Sequence, residues 1–131
     1  MKHYLSSRVK DALKNNKPVL AMESTILSSG MPYPQNLDFF HKTEKLCYEN
    51  GVVPATIAII EGTIHVGLDQ KEAKHITKSK NIKKVSKREI GLCLQKKYSG
   101  ATTVSSTSHI AHNLGIKVFS TGGIGGVHRD H

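Results

Sequence analysis

Apolar and polar positions alternate in blocks along the chain, and the blocks have the lengths of strands and helices. Near-continuous apolar runs predict strands within residues 18–25, 52–60, 63–68, 101–104 and 116–121, with a shorter strand within 81–86. Apolar residues at helical spacing predict helices over residues 6–16, 37–50, 70–79, 87–98 and 105–114. Helices that alternate with apolar strands are typical of an α/β sheet covered on both faces.

Capping and turn residues mark where several of these elements begin or end. Capping-box spacing, which fixes the start of a helix, occurs at Asp69 with Glu72 and at Ser86 with Glu89. Asn36 is the predicted N-cap of the helix over 37–50, after a loop over 24–35. Glu61 and Gly62 form a turn before a strand with alternating polarity, which predicts a hairpin.

The last predicted strand, residues 116–121, continues into the sequence TGGIGG with no helix after it. A parallel strand needs a crossover connection whose helix covers the sheet. We therefore expect the chain either to be incomplete or to need a partner that covers this part of the sheet.

Composition places the chain among ordinary globular proteins. It has 131 residues, the length of one domain, and 37% of them are hydrophobic. Aromatic residues make up 5% and tryptophan is absent, so we expect an aliphatic core. No apolar run approaches the roughly 20 residues of a membrane span, and the start lacks a signal-peptide pattern. Cys47 and Cys93 lack metal or disulfide spacing, and we interpret them as buried free thiols of a cytoplasmic protein without a membrane partner.

Positive charge is concentrated in residues 71–97. This segment has ten lysine or arginine residues against two glutamates, a surplus of +8 out of a net charge of +9 for the chain. Such a block attracts phosphate, as nucleic acid or as a phosphorylated metabolite, or it is simply a solvated face. Single strands stack on aromatic side chains, and the sequence offers no aromatic platform there, so we expect no nucleic-acid partner.

Glu23 is the acidic residue with the clearest chemical potential. It ends the apolar run VLAM, and ligands of open α/β sheets bind at the carboxyl ends of strands. A carboxylate partly removed from water at such a place can act as a general acid or base. The alternative is a structural carboxylate that accepts hydrogen bonds from the backbone.

Three other patterns have weaker functional implications. The glycines of TGGIGG permit backbone amides to point at an anion, with His128 and Arg129 nearby, although a tight turn explains them as well. His109 with His112, and His128 with His131, have H-x-x-H spacing without a third ligand. A group of hydroxyl residues lies in and just after the end of the strand at 101–104 and suits either ligand binding or helix capping: Thr102, Thr103, Ser105, Ser106 and Thr107.

Five motifs in this order resemble the N-terminal half of the pseudouridine-5'-phosphate glycosidase family, which includes the indigoidine synthase A-like proteins. The motifs are MESTILSSGMPYPQN, GVVPATIAIIEG, KKVSKRE, GATTVSST and GIKVFSTGGIGGVHR. The resemblance implies that residues 1–131 are the N-terminal part of a single domain, a three-layer α/β/α sandwich with a mixed, mostly parallel sheet. It also implies a homotrimer, a divalent metal that is typically Mn²⁺, and pseudouridine 5'-phosphate as the substrate.

The resemblance further implies reversible cleavage of the C–C glycosidic bond of that substrate to uracil and ribose 5-phosphate. In such a reaction a lysine holds the opened sugar as a Schiff base, which supplies an electron sink. By motif, Glu23 is the catalytic acid or base, and Lys84, Val104, Thr121 and His128 bind substrate. The Schiff-base lysine and the metal-binding aspartate of the family follow the GGVHR motif, so neither is assigned to a residue of this chain.

The chain also departs from the family pattern at three places. Ser29 stands where the family usually has histidine, and Glu61 stands in a turn that is usually Gly-Gly or Asp-Gly. His109, His112 and Asn113 interrupt a helix that is usually apolar. We therefore expect a glycosidase homologue of pseudouridine catabolism that is inactive as this chain alone. The alternatives are a basic nucleotide- or RNA-binding fragment and a non-functional truncated product.

Overall fold

The computed structural model describes residues 3–125 and Arg129, and these residues form seven strands and five α-helices. The strands are β1 (His3–Leu5), β2 (Val19–Met22), β3 (Val53–Ile60), β4 (Thr63–Val66), β5 (Lys83–Val85), β6 (Gly100–Thr102) and β7 (Val118–Ser120). The α-helices are α1 (Ser7–Lys14), α2 (Gln35–Glu49), α3 (Gln70–Lys78), α4 (Ile90–Gln95) and α5 (Val104–Asn113). A π-helix spans Ile26–Gly30 and a 3₁₀-helix spans Lys87–Glu89.

All seven strands belong to one sheet built around β3. One edge of β3 pairs with β4 in antiparallel orientation, and β4 pairs with β1 in parallel. The other edge is shared, because β2 pairs with the first half of β3 in parallel and β6 pairs with the second half in antiparallel orientation. Strand β7 extends the sheet from β2, and β5 extends it from β6, both in parallel. The predicted mixed, mostly parallel sheet is confirmed.

Hydrophobic packing covers both faces of the sheet, since successive residues of β3 point to opposite sides. Ile57 and Ile59 lie in the larger cluster with Val9 of α1 and Ile110 of α5. Ala58 faces the smaller cluster, which contains residues of α2, α3 and the π-helix: Leu27, Phe40, Ala73 and Ile76. The three-layer α/β/α architecture follows, with a core that is almost wholly aliphatic as the composition predicts.

Arg8 joins the two helical layers. Its Nη1 donates to Tyr48 Oη at 2.7 Å and lies 2.8 Å from Glu44 Oε1, both on α2, and its Nη2 donates to the Leu68 carbonyl at 2.8 Å. Burial raises the pKa of the Glu44 carboxyl, although the neighbouring Arg8 opposes that shift. Sequence patterns gave no indication of this contact, because its partners lie 36 to 60 positions apart.

Several local predictions are confirmed and others are wrong. Capping boxes begin α3 at Asp69 and the 3₁₀-helix at Ser86. The predicted loop over 24–35 contains a π-helix instead, and α2 begins at Gln35. Asn36 is not an N-cap: its buried Nδ2 donates to the carbonyls of Leu27 and Thr77, so it ties the π-helix to α3. The competing tertiary hydrogen bonds explain the error.

The two edges of the sheet hold further findings. Strand β1 was not predicted, because three residues beside a helix carry little pattern, and it pairs with β4. Strand β7 pairs only with β2 among the described strands, and Val118 is 60% exposed.

Cys47 and Cys93 are buried free thiols as predicted. No helix within the described residues is long and apolar enough to cross a membrane.

The turn between β3 and β4 gives a first testable prediction. Glu61 and Gly62 have φ values of 47° and 77°, the left-handed conformation of a type I′ hairpin turn, which favours Asn-Gly. An ordinary residue such as Glu61 is strained there, so we expect Glu61→Asn to raise the free energy of unfolding by about 0.5–1 kcal/mol. Urea titration followed by circular dichroism measures this change.

The matched control is the next residue. A Cβ on Gly62 would lie 2.8 Å from the Leu94 carbonyl oxygen and 2.9 Å from Lys97 Cα, so Gly62→Ala should destabilise the protein by more than about 1 kcal/mol. A Glu61→Asn variant with an unchanged or lower urea midpoint would contradict the assignment of strain to Glu61.

Candidate active site

The carboxyl ends of four strands meet at the middle of β3. Strands β2 and β7 approach this point from one direction, and β5 and β6 approach it from the other. The Ser24 amide donates to the Thr102 carbonyl at 3.2 Å, which joins β2 to β6 end to end. The Thr103 amide donates to the Val85 carbonyl at 3.1 Å, which joins β6 to β5. Residues that follow these strands therefore gather at one place, as expected for an α/β ligand site.

Buried hydroxyl groups hold this junction together. Thr102 Oγ1 donates to the Ile57 carbonyl at 2.6 Å and accepts from Thr107 Oγ1 at 2.9 Å. The Thr102 amide donates to Ser24 Oγ at 2.8 Å, and Thr25 Oγ1 donates to the Thr102 carbonyl at 2.8 Å. Ser24, Thr102 and Thr107 are fully buried, so their satisfied hydrogen bonds fix the positions of the strand ends.

Glu23 and Thr121 face each other at the ends of β2 and β7. Both follow the register pair Met22 and Ser120. Thr121 Oγ1 lies 3.1 Å from Glu23 Oε1 and can donate a hydrogen bond to that oxygen. Both residues are half-buried, and Glu23 has no ion-pair partner among the described residues. The carboxylate is thus oriented by one hydroxyl and still open to a ligand.

The glycine-rich segment after β7 is open to solvent over its described part. A Cβ on Gly122, Gly123 or Gly125 would meet no atom within 4 Å, so close packing does not account for these glycines. Ile124 is 79% exposed, and the Gly123 amide donates to Thr121 Oγ1 at 3.3 Å. The predicted substrate residue His128 lies outside the described residues.

Lys84 and Val104 occupy different positions around the junction. Lys84 is exposed and pairs with Ala101 in register, one residue before the end of β5. It lines a cleft of about 430 Å³ together with Ser29, Tyr33, Lys78 and Lys80. Val104 is half-buried and begins α5 directly after β6. The fold therefore brings Glu23 and Thr121 into direct contact, whereas Lys84 lies in a neighbouring cleft that neither of them lines.

Side chains that could hold a metal ion are not grouped in the part of the chain that the structure describes. No three histidine, cysteine, aspartate or glutamate side chains there are close enough together for a metal ion. Within the H-x-x-H pair of α5, His109 Nε2 lies 3.4 Å from Asn113 Nδ2 on the next turn, and His112 is exposed. His131, the second histidine of the other pair, lies outside the described residues, as does His128.

Sequence reasoning singled out Glu23 and the strand-end hydroxyls as candidates but did not show how they connect. Ser24 was not recognised as a structural residue, because its partner Thr102 is 78 positions away. Tyr33 was also missed as a member of the Lys84 cleft. The motif around each residue was the only available signal, and a motif does not contain the long-range pairing.

Comparison with known proteins identifies the family. The family described as "Indigoidine synthase A like protein" matches residues 8–131. Proteins named pseudouridine-5'-phosphate glycosidase from Mycoplasmopsis agalactiae and Caldanaerobacter subterraneus are 52% identical over 124 residues and 54% identical over 125 residues. Each match covers 95% of this chain and 41% of the relative. The chain thus spans about two fifths of the length of these relatives.

Two solved structures have the same fold. The prealnumycin C-glycosynthase AlnA, solved in complex with ribulose 5-phosphate, has a TM-score of 0.86 and 38% identity. An indigoidine synthase A-like protein from Thermotoga maritima has a TM-score of 0.86 and 30% identity. Both comparisons cover 98% of this chain and 41% of the other.

The hydroxyl junction predicts a specific loss of stability. Thr102→Val removes the hydroxyl that donates to the Ile57 carbonyl and leaves the buried Thr107 hydroxyl without its acceptor. We expect a loss of about 2–4 kcal/mol in the free energy of unfolding, because unsatisfied buried polar groups cost about 1–3 kcal/mol each.

Thr63→Val is the matched control for this experiment. The Thr63 hydroxyl lies on β4 and makes no hydrogen bond to the described residues, so its loss should change stability by less than about 0.5 kcal/mol. Equal urea midpoints for the two variants would show that the junction does not depend on Thr102.

Proposed function

Because the chain belongs to the family of indigoidine synthase A-like proteins, we propose that it forms the acid–base part of a pseudouridine-5'-phosphate glycosidase. The enzyme cleaves the C–C glycosidic bond of pseudouridine 5'-phosphate reversibly, consumes water and yields uracil and ribose 5-phosphate. The contact between Glu23 and Thr121 at the converging strand ends carries this proposal. Relatives that are 52% and 54% identical and bear that name support it.

The reaction needs proton transfer at carbon. When the bond between the sugar carbon and uracil C5 breaks, the electron pair remains on C5 and a proton must reach that atom. Glu23 is suited to transfer it, since its carboxyl is half-buried at the mouth of the site. In the proposed site the Thr121 hydroxyl donates its one proton to Glu23 Oε1 at 3.1 Å, rather than to the Gly123 carbonyl at the same distance, and leaves Oε2 for the substrate.

Other residues of the proposed site would bind the phosphorylated sugar. Lys84 lines the cleft beside the junction, forms no ion pair with the described residues and is the proposed phosphate ligand. Val104 would form an apolar wall, and His128 would complete the substrate contacts. The structure of AlnA in complex with ribulose 5-phosphate supports a sugar phosphate as the ligand class of this fold.

Other parts of the proposal rest on the family resemblance. A Schiff base to a lysine would supply the electron sink for carbon–carbon cleavage, and no described residue is assigned that role. The resemblance adds Mn²⁺, and the described residues do not fit a manganese site because they contain no group of three suitable ligands.

A homotrimer in the cytoplasm completes the proposal. The buried free thiols of Cys47 and Cys93, whose pKa values are raised by burial, suit a reducing compartment.

A chimera tests the role of Glu23. In it, the matched 124 residues of the M. agalactiae relative are replaced by the corresponding part of this chain. We expect the chimera to release uracil from pseudouridine 5'-phosphate with Mn²⁺, and Glu23→Gln to lower kcat by about 10²–10⁴-fold, the usual contribution of acid–base catalysis. The 131-residue chain alone is expected to release none.

Glu49→Gln serves as the control, because Glu49 pairs only with Lys45 on the exposed surface of α2. It should leave kcat unchanged. A chimera that folds with normal circular dichroism but keeps full activity after Glu23→Gln would overturn the assignment of the acid.

Lys84 gives a second functional prediction in the same chimera. Removing a charged hydrogen-bond donor from a bound phosphate costs about 1.5–3 kcal/mol, so Lys84→Ala should lower kcat/KM by about 10–150-fold, mainly through KM. Lys83→Ala removes the same charge from the preceding residue of β5, which points to the other face of the sheet and lies over the Tyr98 ring. Equal losses for the two variants would exclude a specific role for Lys84.

A further inference from the structure

The positive charge of residues 71–97 is not neutralised within the described structure. Of its ten cationic side chains only Arg88 makes an ion pair, with Glu89. The other acid of the segment, Glu72, is held by the Asp69 amide in a capping box and by His65. Nine lysines therefore face solvent without an acidic partner among the described residues, and the proposed glycosidase chemistry uses only Lys84.

Part of this charge forms a continuous surface, which we call the basic stripe. One shallow cleft on α3 is lined by Lys71, Lys74, His75, Lys78 and Ser79. The cleft that contains Lys84 is also lined by Lys78, Ser79 and Lys80, so the two clefts adjoin. The basic stripe comprises Lys71, Lys74, Lys78 and Lys80. Its helical part runs from Lys71 to Lys78, seven helical steps or roughly 10 Å along the axis of α3, which matches about three phosphates of a strand.

An aromatic side chain lies at the end of the basic stripe. Tyr33 is 44% exposed and lines the same cleft as Lys78 and Lys80. Lys78 Nζ lies 5.4 Å from the centre of its ring. The sequence separates these two residues by 45 positions, which explains why no aromatic platform was evident from the sequence. A cation–π contact at an exposed site is weak, so a phosphate can draw the ammonium group away and leave the ring to a base.

We propose that the basic stripe and Tyr33 bind single-stranded nucleic acid without sequence preference. A row of lysines that follows the backbone, next to an aromatic ring on which a base stacks, is the combination that such sites use. A duplex is a poorer fit, since its bases are already stacked and Tyr33 would gain no contact. The inference does not depend on the proposed glycosidase activity.

The test measures the anisotropy of fluorescein-labelled octauridylate with the 131-residue chain between 50 and 200 mM NaCl. Each neutralised phosphate of a single strand contributes about −0.7 to the slope of log K against log salt. We therefore expect a slope near −3 from the four lysines. A slope between 0 and −1, or tighter binding of a duplex than of octauridylate, would overturn the proposal.

Two triple variants distinguish binding by the basic stripe from binding by net charge. Lys74→Ala/Lys78→Ala/Lys80→Ala should reduce the slope by about 2 and weaken binding at least tenfold. The control Lys10→Ala/Lys83→Ala/Lys96→Ala loses the same charge from exposed lysines that line neither cleft. It should reduce affinity less than threefold. Equal losses would mean that net charge alone binds the oligonucleotide, and the site would not exist.

Tyr33 has its own pair of variants. Tyr33→Phe keeps the stacking surface and should retain affinity, whereas Tyr33→Ala should weaken binding about fivefold or more, the usual effect of removing one stacked base contact. Circular dichroism of every variant verifies the fold first. Equal affinity of the Ala and Phe variants, or equal affinity of the chain for heparin and octauridylate, would overturn the stacking role.

Discussion

The fold depends on how two sets of strands meet end to end along one edge of β3. Strands β2 and β6 run towards each other there, and their ends need hydrogen-bond partners that a regular ladder cannot supply. Thr102 supplies them, because its amide, carbonyl and hydroxyl all bond across the junction. The same arrangement brings the residues that follow these strand ends to one place. One buried residue therefore satisfies the backbone groups at these strand ends, next to the place where Glu23 and Thr121 meet.

Local structure could be predicted from the sequence wherever its causes were local. The Asp69 and Ser86 capping boxes, the hairpin at Glu61 and the alternation of strands and helices all depend on residues a few positions apart. The predicted N-cap at Asn36 was wrong because the side chain of Asn36 donates hydrogen bonds to the carbonyls of Leu27 and Thr77 instead. Strand β1 was not predicted, because it is a strand through its pairing with β4 rather than through a sequence pattern of its own.

The same distinction between local and long-range causes applies to the candidate site. Position at a strand end made Glu23 a candidate acid, and the motif around it agreed. Its contact with Thr121, 98 positions later, follows from the register of β2 and β7 and could not be read from spacing. The basic block was evident from composition alone, whereas the ring of Tyr33 joins it only through the packing of the π-helix and α2 against α3. Charge is visible in a sequence, but the geometry that gives charge a function is not.

The contact between Glu23 and Thr121, which the proposed proton transfer uses, lies at an edge of the sheet. Thr121 is positioned by β7, a strand of three residues that pairs only with β2 among the described strands. Val118 is 60% exposed on that strand, and the apolar residues Leu13, Val19 and Ile116 line a cleft beside it. Pairing along the outer edge of β7 would restrict the motion of Thr121 and hence the orientation of the Glu23 carboxyl. The orientation of the Glu23 carboxyl would therefore depend on any polypeptide that pairs with that edge, even one that does not touch the substrate.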